Sequence, residues 1–165
     1  MTKEINGVVL TTDFTHEDIE ASIENHIKIF TEEFGFTDNF KKIVNDTLPA
    51  FEKNYNPENE FMLVAKVDGK FAGTITFIGE ENGVGRLRYF FINPEVRGKG
   101  VGKLTFTQAM ELAKEWGYKH LYFSTFSVLK VARTMYHQLG FEITSSEPAD
   151  FVAPGVIEEI WEKDI

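Results

Sequence analysis

Residues 96–104, VRGKGVGKL, combine three glycines on alternate positions with three cationic side chains. The residues are Arg97, Gly98, Lys99, Gly100, Gly102 and Lys103. The first N–H groups of a helix lack intrahelical partners and carry a partial positive charge, so a helix that begins here would attract an anion. Glycine permits positive φ and close backbone approach, which lets several N–H groups turn toward one ligand. The stretch therefore predicts a phosphate site; a plain strand-to-helix turn with solvated cations is the alternative.

Two common phosphate-binding motifs do not match this spacing. A P-loop has four residues between its glycines and then Lys followed by Ser or Thr, whereas here Leu104 follows Lys103. A dinucleotide fingerprint needs G-x-G-x-x-G and a later acidic residue, but the next expected strand ends in Ser-Thr-Phe. A nucleotide-binding protein thus becomes a less favoured reading.

The hydrophobic periodicity on both sides of this stretch predicts a mixed α/β chain. Thr15 is expected as the N-cap of the first helix, Pro49 as a break in the second, and Gly117 as the end of the third. Three strands rich in β-branched and aromatic residues, separated by turn sequences, are expected as an antiparallel meander. The predicted strands are 8–12, 61–67, 71–78, 84–92, 120–126, 141–144 and 156–163, with a long loop before the last, and the predicted helices are 14–34, 37–54, 103–116 and 128–140.

The composition predicts a single globular domain over residues 1–165. We expect a cytoplasmic protein, because no stretch has the pattern of a signal peptide or a membrane span and there is no cysteine. The formal net charge of -9 argues against nucleic acid as a partner. No metal site is expected, because the histidines lack ligand spacing. They are His16, His26, His120 and His137.

Two motifs at a matching separation carry a family resemblance. Arg97-x-x-Gly100-x-Gly102, directly after the strand 84–92, resembles the Q/R-x-x-G-x-G/A signature of the GNAT superfamily of acetyl-CoA-dependent N-acetyltransferases. Residues 132–141, ARTMYHQLGF, are similar to the family's A-x-x-x-Y-x-x-x-G-F segment. Residues 121–141 further resemble the acetyltransferase half of proteins that fuse a MarR-type regulator to such an enzyme.

The resemblance implies a mostly antiparallel central sheet of about six or seven strands flanked by about four helices. Strand 84–92 would splay from strand 120–126 and open a slot for the pantetheine arm of acetyl-CoA, along Phe91, Ile92 and Asn93. A backbone N–H near Phe91 or Ile92 would stabilise the oxyanion of the thioester carbonyl. The pyrophosphate would lie on N–H groups between Arg97 and Lys103, Val101 included. Lys130 or Arg133 would reach outlying phosphate oxygens.

Tyr136 is the catalytic residue that the resemblance implies. A phenol, with a reference pKa of about 10, stays protonated at neutral pH and can donate to a departing thiolate. A packing role is the alternative, because Tyr136 and Phe141 are the pair that meets when Gly140 ends a helix in a Schellman motif. The family usually has an asparagine seven residues before this tyrosine, where this chain has Leu129, and the local cofactor contacts are the expectation most affected.

The implied activity is direct transfer of an acetyl group to a primary amine of a small molecule or peptide, in a ternary complex. Residues 1–60 carry 13 acidic and 5 basic side chains, which would favour a cationic acceptor or serve only for solubility. Glu32, Glu33 and Glu80 are candidate bases for the amine. A noncatalytic acyl-CoA sensor is the alternative function. No membrane partner is expected, and an edge strand at the C-terminus could pair with a second copy.

Overall fold

The computed structural model describes residues 1–165 and contains eight strands and four α-helices. The strands are β1 Thr2–Ile5, β2 Val8–Thr11, β3 Glu60–Val67, β4 Lys70–Gly79, β5 Val84–Ile92, β6 His120–Phe126, β7 Glu142–Pro148 and β8 Ile157–Asp164. The helices are α1 His16–Phe34, α2 Asp38–Lys53, α3 Val101–Glu115 and α4 Lys130–Gln138. The order confirms the predicted mixed α/β class, with one strand more than the sequence indicated.

All eight strands form one sheet in the order β1-β2-β3-β4-β5-β6-β8-β7. Every pair is antiparallel except β5 with β6, which confirms the predicted mostly antiparallel sheet. The additional strand is β1, which forms a hairpin with β2. Its turn is Asn6-Gly7, with φ of 53° and 79°, the conformation that Asn-Gly favours in two-residue hairpins.

Three other expectations need correction. Pro49 does not break α2, since Leu48 and Phe51 on either side of it are buried. Packing of that apolar face outweighs the roughly 3 kcal/mol local cost of an interior proline.

Strand β7 extends to Pro148, so the predicted loop after residue 144 is shorter. The C-terminal strand β8 lies between β6 and β7, so the exposed edge on that side is β7.

Both faces of the sheet are covered, and alternation along the strands divides the core in two. On β3, Phe61 and Leu63 face a cluster that includes Phe106 of α3, while Met62 and Val64 face the helices α1 and α2. All four of these strand residues are buried. Strands covered on both faces have no polar alternation, as the sequence of β3 shows. None of the four helices combines the length and the apolar character that a membrane span requires.

The parallel pair β5 and β6 is short, and beyond it the two strands separate. Pairing covers only residues 84–86 of β5 and 120–122 of β6, although both strands continue. Strand β5 also carries a bulge, because Tyr89 and Phe90 together oppose Ile75 of β4. Tyr89 has a φ of 52°, a left-handed conformation that is uncommon for an aromatic residue. The bulge increases the local twist, and the predicted slot between these strands is present.

Candidate active site

The glycine-rich stretch links the end of β5 to α3, and residues 97–103 form what we call the cradle. Gly98 and Gly100 both have a φ of 77°, and a Cβ at either position would meet no atom within 4 Å. The backbone N–H groups from Gly98 to Lys103 have no acceptor within the chain. Helix α3 begins at Val101 without a side-chain cap and without an acidic residue in its first turn. The cradle is therefore open, rich in donors and suited to a pyrophosphate.

Gly102 has a different function from the other two glycines. Its φ is helical, and a Cβ there would come within 3.3 Å of Cγ1 of Ile92 and 3.6 Å of the Phe90 ring. The absence of a side chain lets the first turn of α3 approach the end of β5. Two glycines thus provide backbone conformation, and the third provides close packing.

Arg97 connects the cradle to both β5 and α1. Its Nε donates to the carbonyl oxygen of Ile92 at 3.1 Å, and its Nη1 donates to the carboxylate of Glu33 at 2.7 and 3.0 Å. The side chain is thereby held by the protein, while its neighbours Lys99 and Lys103 are exposed and make no ion pair. The carboxylate of Glu33 therefore forms an ion pair with Arg97 and is not free to act as the base for the amine.

The two cations predicted on α4 lie in different surroundings. Arg133 donates from Nε and Nη2 to the two carboxylate oxygens of Glu159, both at 2.8 Å, and Glu159 is only 5% exposed. A phosphate would have to displace this buried carboxylate. Lys130, the first residue of α4, is exposed and makes no ion pair. Of the two predicted phosphate ligands, only Lys130 has a free charge.

Hydrogen bonding at the end of β5 indicates which residue presents its backbone to the slot. The N–H of Asn93 donates to the carbonyl of Ala72 on β4 at 2.7 Å. Because backbone groups alternate along a strand, those of Ile92 point to the opposite edge, where its oxygen accepts from Arg97. Phe91 instead has its side chain buried against the ring of His26, at a centroid distance of 4.5 Å. Ile92 is thus the predicted residue with backbone groups on the open edge.

A cavity of about 210 Å³ occupies the gap between β5 and β6. Side chains from both faces of the sheet line it. On the α3/α4 side these are Phe90, Phe106, Phe123, Thr125 and Tyr136, and on the α1/α2 side they include His26, Phe30, Phe40, Tyr89 and Phe126. The cavity therefore passes through the sheet where the two strands separate.

Tyr136 is buried at one side of this cavity, 4% exposed. Its ring lies 4.5 Å from that of Phe123 and 5.2 Å from that of Phe106, measured between centroids. Phe141 N–H donates to Tyr136 O and Gly140 N–H donates to His137 O, each at 3.0 Å, so α4 does end in a Schellman motif. Burial raises the pKa of the Tyr136 phenol, and hydrogen bonding with the Thr125 hydroxyl partly opposes this. The residue both packs and lines the cavity.

His26 lines the cavity from α1, which sequence reasoning did not anticipate. Burial lowers its pKa to about 4, although a hydrogen bond to Ser22 partly opposes this. Nδ1 lies 2.8 Å from the Ser22 carbonyl, and because a carbonyl can only accept, Nδ1 carries the proton. The imidazole is therefore neutral, with the lone pair on Nε2. A period-3.6 projection of α1 would have grouped His26 with the buried residues Ile19 and Phe30.

The carboxylates suggested by the sequence are not in the cavity. Glu80 accepts a hydrogen bond from the Tyr122 hydroxyl at 2.7 Å, Glu32 is exposed on α1, and neither lines the gap. The one carboxylate among the lining residues is Glu158 of β8. Arg86 and Arg88 of β5 also line it, and Leu129 does so in place of the asparagine usual in the family. No cluster of three or more His, Cys, Asp or Glu side chains could hold a metal ion.

Residues 23–141 match the sequence profile of the acetyltransferase (GNAT) family. The chain belongs to that family. It is 30% identical over 125 residues to the uncharacterised N-acetyltransferase YjgM of Escherichia coli, covering 73% of this chain and 75% of that one. The confirmed resemblance makes this GNAT protein an acetyltransferase, and acetyl-CoA is the cofactor of the family.

Solved structures show the same GNAT fold at low sequence identity. A GNAT acetyltransferase from Staphylococcus aureus has a TM-score of 0.77 and 19% identity, covering 95% of this chain and 98% of its own. PaiA N-acetyltransferase from Thermoplasma acidophilum, in complex with coenzyme A, has a TM-score of 0.74 and 16% identity, covering 96% and 99%. The open donors of the cradle in this GNAT chain fit the pyrophosphate of such a cofactor.

Arg133→Ala should lower the free energy of unfolding by about 3–5 kcal/mol, because it leaves the buried carboxylate of Glu159 without its charged partner and with only the indole N–H of Trp161 as a donor. Urea denaturation monitored by fluorescence measures this, with Lys130→Ala as the matched control, expected within about 0.5 kcal/mol of the parent. Unchanged stability for Arg133→Ala, together with weaker coenzyme A binding, would instead assign Arg133 to the cofactor.

His26 should make the protein less stable as the pH falls from about 6.5 to about 4. Over that range the unfolded chain binds a proton at this residue and the folded chain does not, so the unfolded state gains up to roughly 3 kcal/mol. The measurement is the free energy of unfolding against pH for the parent and for His26→Gln, which should show a shallower decline. Parallel pH profiles for the two proteins would mean that the buried imidazole of His26 does not contribute to the pH dependence of stability.

Proposed function

We propose that this chain transfers the acetyl group of acetyl-CoA to a primary amine by direct attack in a ternary complex. The observation that carries the proposal is the cavity that crosses the sheet between β5 and β6. An acyl donor and an acceptor can meet there from opposite faces. The chain has no cysteine to carry the acyl group, and direct transfer needs no covalent enzyme intermediate.

The cradle is the part of the protein that would hold the pyrophosphate of acetyl-CoA. Its six backbone N–H groups from Gly98 to Lys103 are free, and Lys99, Lys103 and Lys130 can approach phosphate oxygens from solvent. The open backbone edge at Ile92 is where the pantetheine arm would pair. Acetyl-CoA supplies a thioester that the amine attacks and a thiolate that leaves.

The Tyr136 hydroxyl serves in this proposal as the hydrogen-bond donor to the leaving sulfur. Because burial raises its pKa, the phenol is fully protonated at neutral pH. A thiol has a reference pKa of about 8.5, so complete proton transfer from the phenol would be unfavourable. Tyr136 therefore stabilises the leaving thiolate by donating a hydrogen bond and keeps its own proton, while the proton that the attacking nitrogen loses after the C–N bond forms neutralises the sulfur.

The amine must lose a proton before it attacks, since alkyl amines have a pKa of about 10.4. Glu158 is the carboxylate placed to attract the ammonium form, and neutral His26 offers Nε2 as a second acceptor. Leu129 leaves the start of α4 without a side-chain cap, which favours the alternative of an acyl-CoA sensor. Release of coenzyme A in the presence of amines separates the two functions.

Gly100→Glu should reduce coenzyme A affinity at least tenfold, because it places an anion in the cradle. Gly100→Ala is the matched control, since both variants strain the same backbone at φ 77° and the Cβ itself meets no atom. Isothermal titration with coenzyme A gives the two dissociation constants. Equal coenzyme A affinities in the two variants would contradict the assignment of the cradle as the pyrophosphate site.

Tyr136→Phe should lower kcat by about 10- to 100-fold while leaving the acetyl-CoA dissociation constant within about twofold, because it removes only the donated hydrogen bond. The ring and its contacts with Phe123 remain. Turnover is followed by coenzyme A release and binding by titration. If Tyr136→Phe keeps the parent's kcat, Tyr136 has a packing role and no role in catalysis.

A further inference from the structure

We infer that the acceptor carries an oxyanion as well as its amine, and that Arg86 and Arg88, the arginine pair, bind this oxyanion. The inference rests on the proposed function, because it names the substrate class for that same cavity. It follows from the position of the pair, its lack of acidic partners and the charges around it. The ligand chemistry is that of an amino acid or a phosphorylated amine.

The fold directs both members of the arginine pair into the cavity from one side. Leu87 between them is buried in the cluster on the α3/α4 side, so strand alternation turns Arg86 and Arg88 to the α1/α2 side. Both line the cavity between β5 and β6. The bulge that follows places Tyr89 on that same side, beside Arg88. The result is a polar floor next to the gap.

No ion pair in the structure involves either arginine. Both side chains are half-buried, and Nε of Arg86 is fully buried without a hydrogen-bond partner. The Tyr89 hydroxyl and Oγ1 of Thr76 are also buried and unpartnered. Thr76 pairs with Arg88 across β4 and β5, so these groups belong to one region of the sheet. Buried polar groups are rarely left unpaired, so these atoms are available to hydrogen-bond a polar ligand.

Aromatic rings hold the guanidinium groups without neutralising them. The Arg88 guanidinium lies 4.6 Å from the centroid of the Tyr89 ring, and that of Arg86 lies 5.9 Å from the centroid of Tyr122. A ring contacts the face of a guanidinium and leaves its N–H edge available for a planar oxyanion. Burial and the neighbouring charge of Arg86 lower the pKa of Arg88, which an incoming anion would reverse.

The remaining charges near the cavity fit an acceptor with both signs of charge. Glu158 lines it from β8 and can face an ammonium group, while Glu80 is occupied by the Tyr122 hydroxyl. Phe30, Phe40 and Phe126 provide an apolar wall. An amine that also carries a carboxylate satisfies Glu158 and the arginine pair together. This differs from the purely cationic acceptor that the overall charge suggests.

The test compares pairs of acceptors in which a neutral group replaces the oxyanion, using acetyl-CoA and following coenzyme A release. The pairs are phenylalanine with phenylalaninamide, leucine with leucinamide, and O-phosphoethanolamine with ethanolamine. We expect kcat/KM at least tenfold higher for the charged member of a pair, in line with the strength of charge-assisted bonds. Preference in the first two pairs identifies a carboxylate, and preference in the third alone identifies a phosphate.

Arg88→Gln should bring the ratio within the preferred pair toward one. Lys114→Gln on the exposed side of α3 removes the same charge outside the cavity and should keep the parent's ratio. A second readout does not need turnover. Thermal stabilisation of the coenzyme A complex by N-acetylphenylalanine should exceed that by N-acetylphenylalaninamide in the parent, and Arg88→Gln should remove the difference.

The outcomes separate the inference from the proposed function. Coenzyme A release at equal rates with both members of every pair would overturn the inference and leave the transferase function standing. Absence of coenzyme A binding would overturn the proposed function. If neither turnover nor product binding distinguishes the charged from the uncharged compounds, the arginine pair does not bind an oxyanion.

Discussion

The short ladder between β5 and β6 is the constraint on which the site depends. Parallel pairing ends at Arg86 and Tyr122, and the bulge at Tyr89 turns β5 away from its neighbour. A left-handed aromatic residue costs of order 1–3 kcal/mol, a strain that persists only where the surrounding structure imposes it. Antiparallel pairing with β4 on the other edge supplies that support. The strain opens a gap in the sheet without interrupting the core on either face.

The hydrogen-bond donors around the gap, in the cradle and on Tyr136, are held in position by contacts between separate elements. Arg97 joins the end of β5, the cradle and the end of α1 through Ile92 and Glu33. Gly102 lets α3 approach β5, so the free N–H groups of the cradle lie at a fixed position relative to the open strand edge. On the opposite side, Tyr136 is packed among aromatic rings at the end of a helix closed by a Schellman motif. Such contacts place the donors before any ligand arrives, which is what electrostatic catalysis requires.

Local patterns in the sequence were sufficient for the features that local chemistry determines. Alternate glycines before an amphipathic helix predicted the cradle, and the Gly140-Phe141 pair predicted the Schellman motif that ends α4. Features set by distant partners were not predictable in this way. Tyr89 carries no local signal for positive φ, and Arg133 gives no sign of its partner Glu159, 26 residues away. Pro49 misled because burial of Leu48 and Phe51 outweighs its local cost. The Asn6-Gly7 turn was a readable signal that the prediction overlooked.

The contrast between overall and local charge bears on what the cavity selects. A chain with net charge -9 repels simple anions at long range, and this repulsion is screened beyond about 10 Å at ordinary ionic strength. Within the gap, the nearest fixed charges are instead Arg86, Arg88 and Glu158. A molecule with no net charge but with both an ammonium group and a carboxylate avoids the long-range repulsion and still satisfies both short-range partners. A polyanion or a polycation would satisfy only one of them, so the two scales of electrostatics together favour a zwitterionic amine.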